Sequence, residues 1–178
     1  MKLDANGWLN GVRRIVSPNC DARPSGTSIA LLVIHNISLP PGEFGGEAIA
    51  QLFTNTLNTE AHPYYKQLKG LKVSAHFLIR RDGGIIQFVS CGKRAWHAGV
   101  SFWQGRAACN DFSIGIELEG SDEVPFDDPQ YVSLVRLTRF LRRNYPIRDI
   151  AGHSDIAPGR KTDPGSCFDW PRYLAAIK

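Results

Sequence analysis

Residues 28–35, SIALLVIH, form a near-continuous apolar, β-branched run that ends on a polar residue, the pattern of a strand buried on both faces. The Pro/Gly-rich stretch NISLPPGEFGG follows and reads as a long loop. Helical spacing returns over 46–56, where Ile49, Leu52 and Phe53 share one side. Residues 74–90 contain two strand-like runs around Asp82-Gly83-Gly84, which predicts a hairpin. Over 112–119 the pattern alternates. Phe112, Ile114, Ile116 and Leu118 face one way, and Ser113, Gly115, Glu117 and Glu119 face the other. Residues 128–144 predict an amphipathic helix with a stripe of Tyr131, Leu134, Val135, Thr138 and Leu141, opened by Pro129 and stopped by Pro146. A short strand then delivers the sequence DIAGH, and a last helix is predicted over about 169–177. The elements predict one α/β domain over 1–178, a single mixed central β-sheet covered by helices.

Composition narrows the class. The 178 residues are 43% hydrophobic and 21% charged, as in an ordinary globular domain. Net charge is +4, which suits a small anionic substrate as well as nucleic acid. The densest basic stretch, RLTRFLRRNY, is helix-patterned rather than a nucleic-acid arm. No apolar run reaches the 18 residues of a membrane-spanning helix, and residues 1–14 lack the apolar core of a secretory leader. Cys20, Cys91, Cys109 and Cys167 form no C-x-x-C pair. The expectation is a cytoplasmic monomer with reduced thiols, binding neither nucleic acid nor membrane.

The stretch GHSDIAPGRKTDPG, residues 152–165, is too rich in Gly and Pro for a helix interior or central strand, yet it carries His153, Lys161 and Asp163. His35 closes the strongest strand, where open α/β folds build sites. Two imidazoles and one carboxylate suffice to hold catalytic Zn²⁺ with a position left for water. The competing reading makes His35 a satisfied core histidine and Asp163 a turn-former before Pro164. Lys161, two residues before Asp163, is placed to stabilise an oxyanion; the alternative is a solvated loop lysine. Glu117 or Glu119 could act as a base, or both could lie on an exposed strand face. Trp96 and His97 in WHAG fit a sugar or peptide groove and fit a core equally well. His62 and His76 read as structural. No G-x-S-x-G, P-loop, G-x-G-x-x-G or H-E-x-x-H is present, so a serine hydrolase, a nucleotide-dependent enzyme and a zincin are unsupported.

Five segments in order, LLVIHNISLPPGEFGG, SAHFLIRRDG, KRAWHAGVS, CNDFSIGIELEG and GHSDIAPGRKTDPG, resemble the zinc-dependent N-acetylmuramoyl-L-alanine amidases of the amidase-2 type. The likeness runs from Gly7-Trp8-Leu9 to Phe168-Asp169-Trp170 and is nearer to the cytoplasmic, peptidoglycan-recycling branch. It implies zinc on His35, His153 and Asp163, Glu117 as proton acceptor and Lys161 as transition-state stabiliser. Phage relatives carry a cysteine as third ligand; here that position is Asp163, and Cys167 lies four residues beyond. The implied substrate is a small 1,6-anhydro-N-acetylmuramyl peptide, cleaved by water at the lactyl-L-alanine amide. Asn36, Lys72, Trp96, His97 and Arg106 are the implied substrate contacts. Close members of the family it resembles tend to carry arginines, associated with gripping the peptide stem, where this chain has Lys72 and Ala108. A binding-only module and a lysin of intact wall are the alternatives.

Overall fold

The computed structural model describes residues 1–178. In chain order the strands are β1 (Arg13–Arg14), β2 (Cys20–Ala22), β3 (Leu31–Ile37), β4 (Phe77–Ile79), β5 (Ile85–Gln87), β6 (Lys93–Ala95), β7 (Phe102–Trp103), β8 (Arg106–Ala107), β9 (Ser113–Glu119) and β10 (Asp149–Gly152). The helices are α1 (Ala48–Phe53), α2 (Asp128–Asn144), α3 (His153–Ile156) and α4 (Trp170–Ala176). Six strands form one mixed sheet in the order β1-β5-β4-β9-β3-β10. Strands β4, β9, β3 and β10 are mutually parallel, and β5 returns antiparallel to β4 through the hairpin at Asp82-Gly83-Gly84.

The two faces of this sheet are covered differently. On one face Leu32 and Ile34 of β3 join Ile114, Ile116 and Leu118 of β9 beneath α2 and α4, with Leu134, Leu137 and Tyr173 fully buried. Burial of this many aliphatic and aromatic side chains is the main driving force for the fold. The other face has two smaller cores. One gathers α1 and Leu78, Phe88 and Phe53; the other gathers Leu31, Val33, Phe112 and Ile156 beside α3. Between them, β3 and β9 carry polar side chains instead of apolar ones. Cys91 packs in the large core under α2 and α4, and Cys109 in the small core beside α3, both as small apolar side chains.

The helix over 128–144 starts and stops where its Pro residues predict, and the backbone N–H of Asp127 donates to Gln130 Oε1 at 3.0 Å to close its first turn. Leu137 also belongs to its buried stripe. The strand predicted over 28–35 begins three residues later and continues to Ile37, because its pairing with β9 runs through Ile37↔Glu119. The helix predicted over 46–56 is shorter, Ala48–Phe53. All seven residues of β9 are buried, so its polar side is not a solvated face. No helix is long and apolar enough to cross a membrane.

Candidate active site

Strand register gathers the site. His35 of β3 is the Cα partner of Glu117 of β9, and Gly152 of β10 is the partner of Ile34. The next residue along each parallel strand is therefore level with its neighbour, so Glu117, His35 and His153 stand in one row across β9, β3 and the end of β10. His153 opens the single turn of α3. Asp163 is returned to this row by a backbone bond in which Ser154 N–H donates to the Asp163 carbonyl at 2.9 Å. Pro164 seals the turn against Gly152, where a Cβ would stand 2.9 Å from Pro164 Cδ.

Three ligand atoms converge. His35 Nδ1 lies 3.0 Å from His153 Nδ1 and 3.0 Å from Asp163 Oδ2, and His153 Nδ1 lies 3.1 Å from that oxygen. His153 Nε2 donates to the Ala98 carbonyl at 3.1 Å, which directs its lone pair on Nδ1 into the triangle. Three atoms that can all accept need a positive centre between them, either a shared proton or a metal ion. Ligand bonds of about 2.0–2.1 Å to a tetrahedral ion need only a slightly wider triangle. His35, His153 and Asp163 thus form a group able to hold a metal. Burial is the largest influence on His35 and holds its pKa at about 4, so the ring is neutral and fit to ligate. Burial opposes the charge on Asp163, but the contacts with the His153 and His35 imidazoles outweigh it and hold the carboxyl below the usual range.

The two glutamates of β9 separate cleanly. Glu119 Oε1 accepts from Gly45 N–H at 2.7 Å and Arg80 Nη1 at 2.9 Å, and Oε2 accepts from Arg81 N–H at 3.3 Å. Its carboxylate fastens the loop after β3 to the hairpin. Glu117 Oε2 is buried with no partner. Burial, then the Asp163 charge, push the Glu117 carboxyl well above the ordinary range, while Lys161 pulls it down. A buried carboxyl with an unused oxygen beside a ligand triangle is a poised proton acceptor. Lys161 is exposed on the wall of the same cavity, which has a volume of about 550 Å³ and is also lined by His35, Glu117, His153 and Asp163.

The expected substrate contacts divide. Asn36 lines the cavity and donates through Nδ2 to Asp122 Oδ1 at 2.6 Å. His97 lines it too, but both ring nitrogens are engaged, Nδ1 with His35 Nε2 at 2.9 Å and Nε2 with Ser113 Oγ at 3.1 Å. Lys72 is exposed between the wall residues Leu71 and Val73. Trp96 is half-buried and outside the cavity lining, its backbone N–H donating to Ser74 Oγ at 3.1 Å. Arg106 is not among the residues lining the cavity, and its guanidinium stacks 3.7 Å from the Phe112 ring centroid. Ala108 is exposed with a left-handed backbone, φ 57°. His62 caps a 3₁₀ turn by accepting from Tyr64 N–H at 3.1 Å, and buried His76 accepts from Gly115 N–H at 3.1 Å.

Arg160 is the second cation of the loop that carries Lys161. It ties the ligand loop to 98–100 by donating to the carbonyls of Ala98 and Val100 at 2.7 Å each. A concavity of about 620 Å³ between α2 and α4, edged by Arg136, Arg139, Arg143 and Arg172, is larger but lies on the opposite face and brings no acid–base pair together.

Residues 25–166 match the model of the N-acetylmuramoyl-L-alanine amidase family, Amidase_2. The chain belongs to this amidase family. It is 57% identical to the 1,6-anhydro-N-acetylmuramyl-L-alanine amidase AmpD of Salmonella typhimurium (strain SL1344), over 98% of this chain and 95% of that protein. It is 58% identical to AmpD of Escherichia coli (strain K12), over 96% and 94%. A crystal structure of an AmpD selenomethionine derivative superposes with a TM-score of 0.97 at 56% identity and covers both chains fully. The amidase AmiD of E. coli, solved with anhydro-N-acetylmuramic acid-L-Ala-D-γ-Glu-L-Lys, matches with a TM-score of 0.61 at 29% identity, over 86% of this chain and 60% of that one. The mixed sheet with covering helices is therefore that of the amidase family, and the chain is an N-acetylmuramoyl-L-alanine amidase, a hydrolase of cell-wall material.

Proposed function

We propose that this amidase hydrolyses the amide between the lactyl group of 1,6-anhydro-N-acetylmuramic acid and the L-alanine of a soluble muropeptide, as a zinc enzyme of peptidoglycan recycling in the cytoplasm. The observation that carries the reading is the unpartnered Glu117 carboxyl beside the His35–His153–Asp163 triangle. Two imidazoles and a carboxylate suit Zn²⁺, which when bound supplies a Lewis acid for the carbonyl and the attacking water.

The protein's own groups supply the rest. Glu117 takes a proton from the attacking water as the new C–O bond forms. The same proton then passes to the alanine nitrogen as the C–N bond breaks, and the acid proton of the lactyl product ionises onto the released amine, so the products are a lactyl carboxylate and an ammonium. The raised pKa makes Glu117 a stronger base than an exposed glutamate. Lys161 presents an ammonium to the oxygen on which negative charge develops. Asn36, held by Asp122 on the cavity wall, contacts the substrate. The binding-only and lysin alternatives are not favoured, since the ligand triangle, Glu117 and Lys161 share one cavity and the AmpD relatives match over nearly full length.

Cleavage in H₂¹⁸O tests the reading. Mass spectrometry should find ¹⁸O in the lactyl carboxylate and none in the released peptide, with soluble anhydro-muropeptide cleaved in preference to polymeric sacculi. Cleavage at another bond, or preference for sacculi, overturns it.

A further inference from the structure

A row of three side chains runs from the ligand triangle into the protein. His35 Nε2 meets His97 Nδ1 at 2.9 Å, and His97 Nε2 meets Ser113 Oγ at 3.1 Å. His35 and His97 are buried and Ser113 is wholly enclosed. The His97 ring stands edge-on to His35, with centroids 5.0 Å apart and planes at 86°. Backbone N–H groups of His97 and Ala98 donate to Asn110 Oδ1 at 3.1 and 2.8 Å, which fixes the segment that carries the ring. Space for the ring exists because residue 115 has no side chain: a Cβ there would lie 2.5 Å from His97 Cγ.

A neutral imidazole has one N–H and one lone pair. For His35 Nδ1 to offer its lone pair to the triangle, the His35 proton must sit on Nε2. That proton then needs an acceptor, and the atom facing it is His97 Nδ1. His97 in turn must carry its own proton on Nε2, and Ser113 Oγ is placed to accept it. All the protons in the row then point away from the triangle.

We infer that His97 is a positioning residue, which with Ser113 fixes the His35 tautomer and ring orientation that metal binding requires. His153 reaches the same state by a simpler route, through Nε2 on the Ala98 carbonyl. Outer partners of this kind orient a ligating imidazole and raise its basicity, and their loss weakens metal affinity about 10–100-fold. His97 therefore acts through His35 rather than on substrate.

This inference rests on the zinc reading of His35, His153 and Asp163. The test is zinc affinity by competition with a chromophoric chelator, for the wild type, His97→Leu and His97→Asn. Leucine fills the space without an acceptor, whereas asparagine can place Oδ1 where Nδ1 stood. The leucine variant should bind zinc about 10–100-fold more weakly, and the asparagine variant should recover most of the loss. Equal affinity in wild type and leucine variant, or equal loss in both variants, overturns the role of His97. A wild type that takes up no zinc overturns the zinc reading itself. Should the leucine variant not fold, the ¹⁵N shifts of the His97 ring in the zinc-bound wild type decide: Nε2–H with bare Nδ1 is expected, and Nδ1–H overturns the inference.

Discussion

Glu117 and His35 are direct partners across two parallel strands, and one side chain has every nitrogen engaged while the other has a buried oxygen with none. That contrast sets the first prediction. Glu117→Gln should retain zinc and lose about 10²-fold or more in kcat, since the amide cannot take the proton. It should leave stability unchanged or raised, because a buried acid with an unused oxygen has been removed. Lys161→Met should also keep zinc and lose kcat by a similar factor. Steady-state kinetics with metal analysis checks both; a change in KM alone would assign these residues to uniform binding instead.

The ligand triangle sets the second. His153→Ala should lose both stoichiometric zinc and activity, and chelation of the wild type should remove activity that added zinc restores. The protein should bind about one zinc per chain. Full zinc content in the His153→Ala protein would falsify the assignment.

A third prediction concerns acid stability of the metal-free protein. Burial holds His35 at about 4 and His76 at about 3, and holds His97 well below its ordinary value. In the unfolded chain each titrates near about 6.5. Around pH 5 the unfolded state therefore binds three more protons at these positions, so stability falls as pH drops through 6 toward 4. Glu117 has the opposite sign: its raised folded pKa lets the native state keep a proton that the unfolded state has released. Three minus one leaves a net of two, a slope of about 2.7 kcal/mol per pH unit. Glu117→Gln should steepen it toward three protons. Denaturant unfolding at stepped pH measures this, and a flat profile would show that these histidines are not held neutral.

Glu119 should behave unlike its neighbour two residues away. Its carboxylate is buried and faces Arg80, whose side chain is 15% exposed. Removing it leaves Arg80 with Glu47 Oε1 at 3.5 Å as its remaining ion partner. Glu119→Ala should destabilise by about 3 kcal/mol. It also frees Gly45 and the loop whose Ser38, Leu39, Pro41 and Gly42 line the cavity, so KM should rise while zinc is retained. Thermal unfolding and kinetics on one preparation separate the two glutamates; a stable variant with lost kcat would contradict this assignment.

Much of the fold is legible in the chain because its elements have strong periods. The β-branched run before His35, the Asp-Gly-Gly hairpin and the Pro-bounded helix each follow from local chemistry. Alternation in β9 also places Ser113, Gly115, Glu117 and Glu119 on one side. It cannot tell which glutamate is engaged, because the partners of Glu119 come from Gly45, Arg80 and Arg81, far away in sequence. The solvated face that alternation permits is absent because two small cores close around it. His97 stayed ambiguous since a histidine on a loop looks the same whether it meets substrate or another imidazole. The level row of Glu117, His35 and His153 is a property of parallel register, which no single segment contains.

Gly115 places a constraint on anyone who would transplant this centre. The glutamate cannot be moved alone onto a parallel strand beside a histidine. Its strand must also present a bare backbone two positions earlier on the same side, wide enough for the flat edge of a second imidazole arriving from a loop. The portable unit is therefore the tripeptide Gly115-Ile116-Glu117 with its hollow, and a methyl group in that hollow would tilt the histidine of the adjacent strand, His35, without touching it.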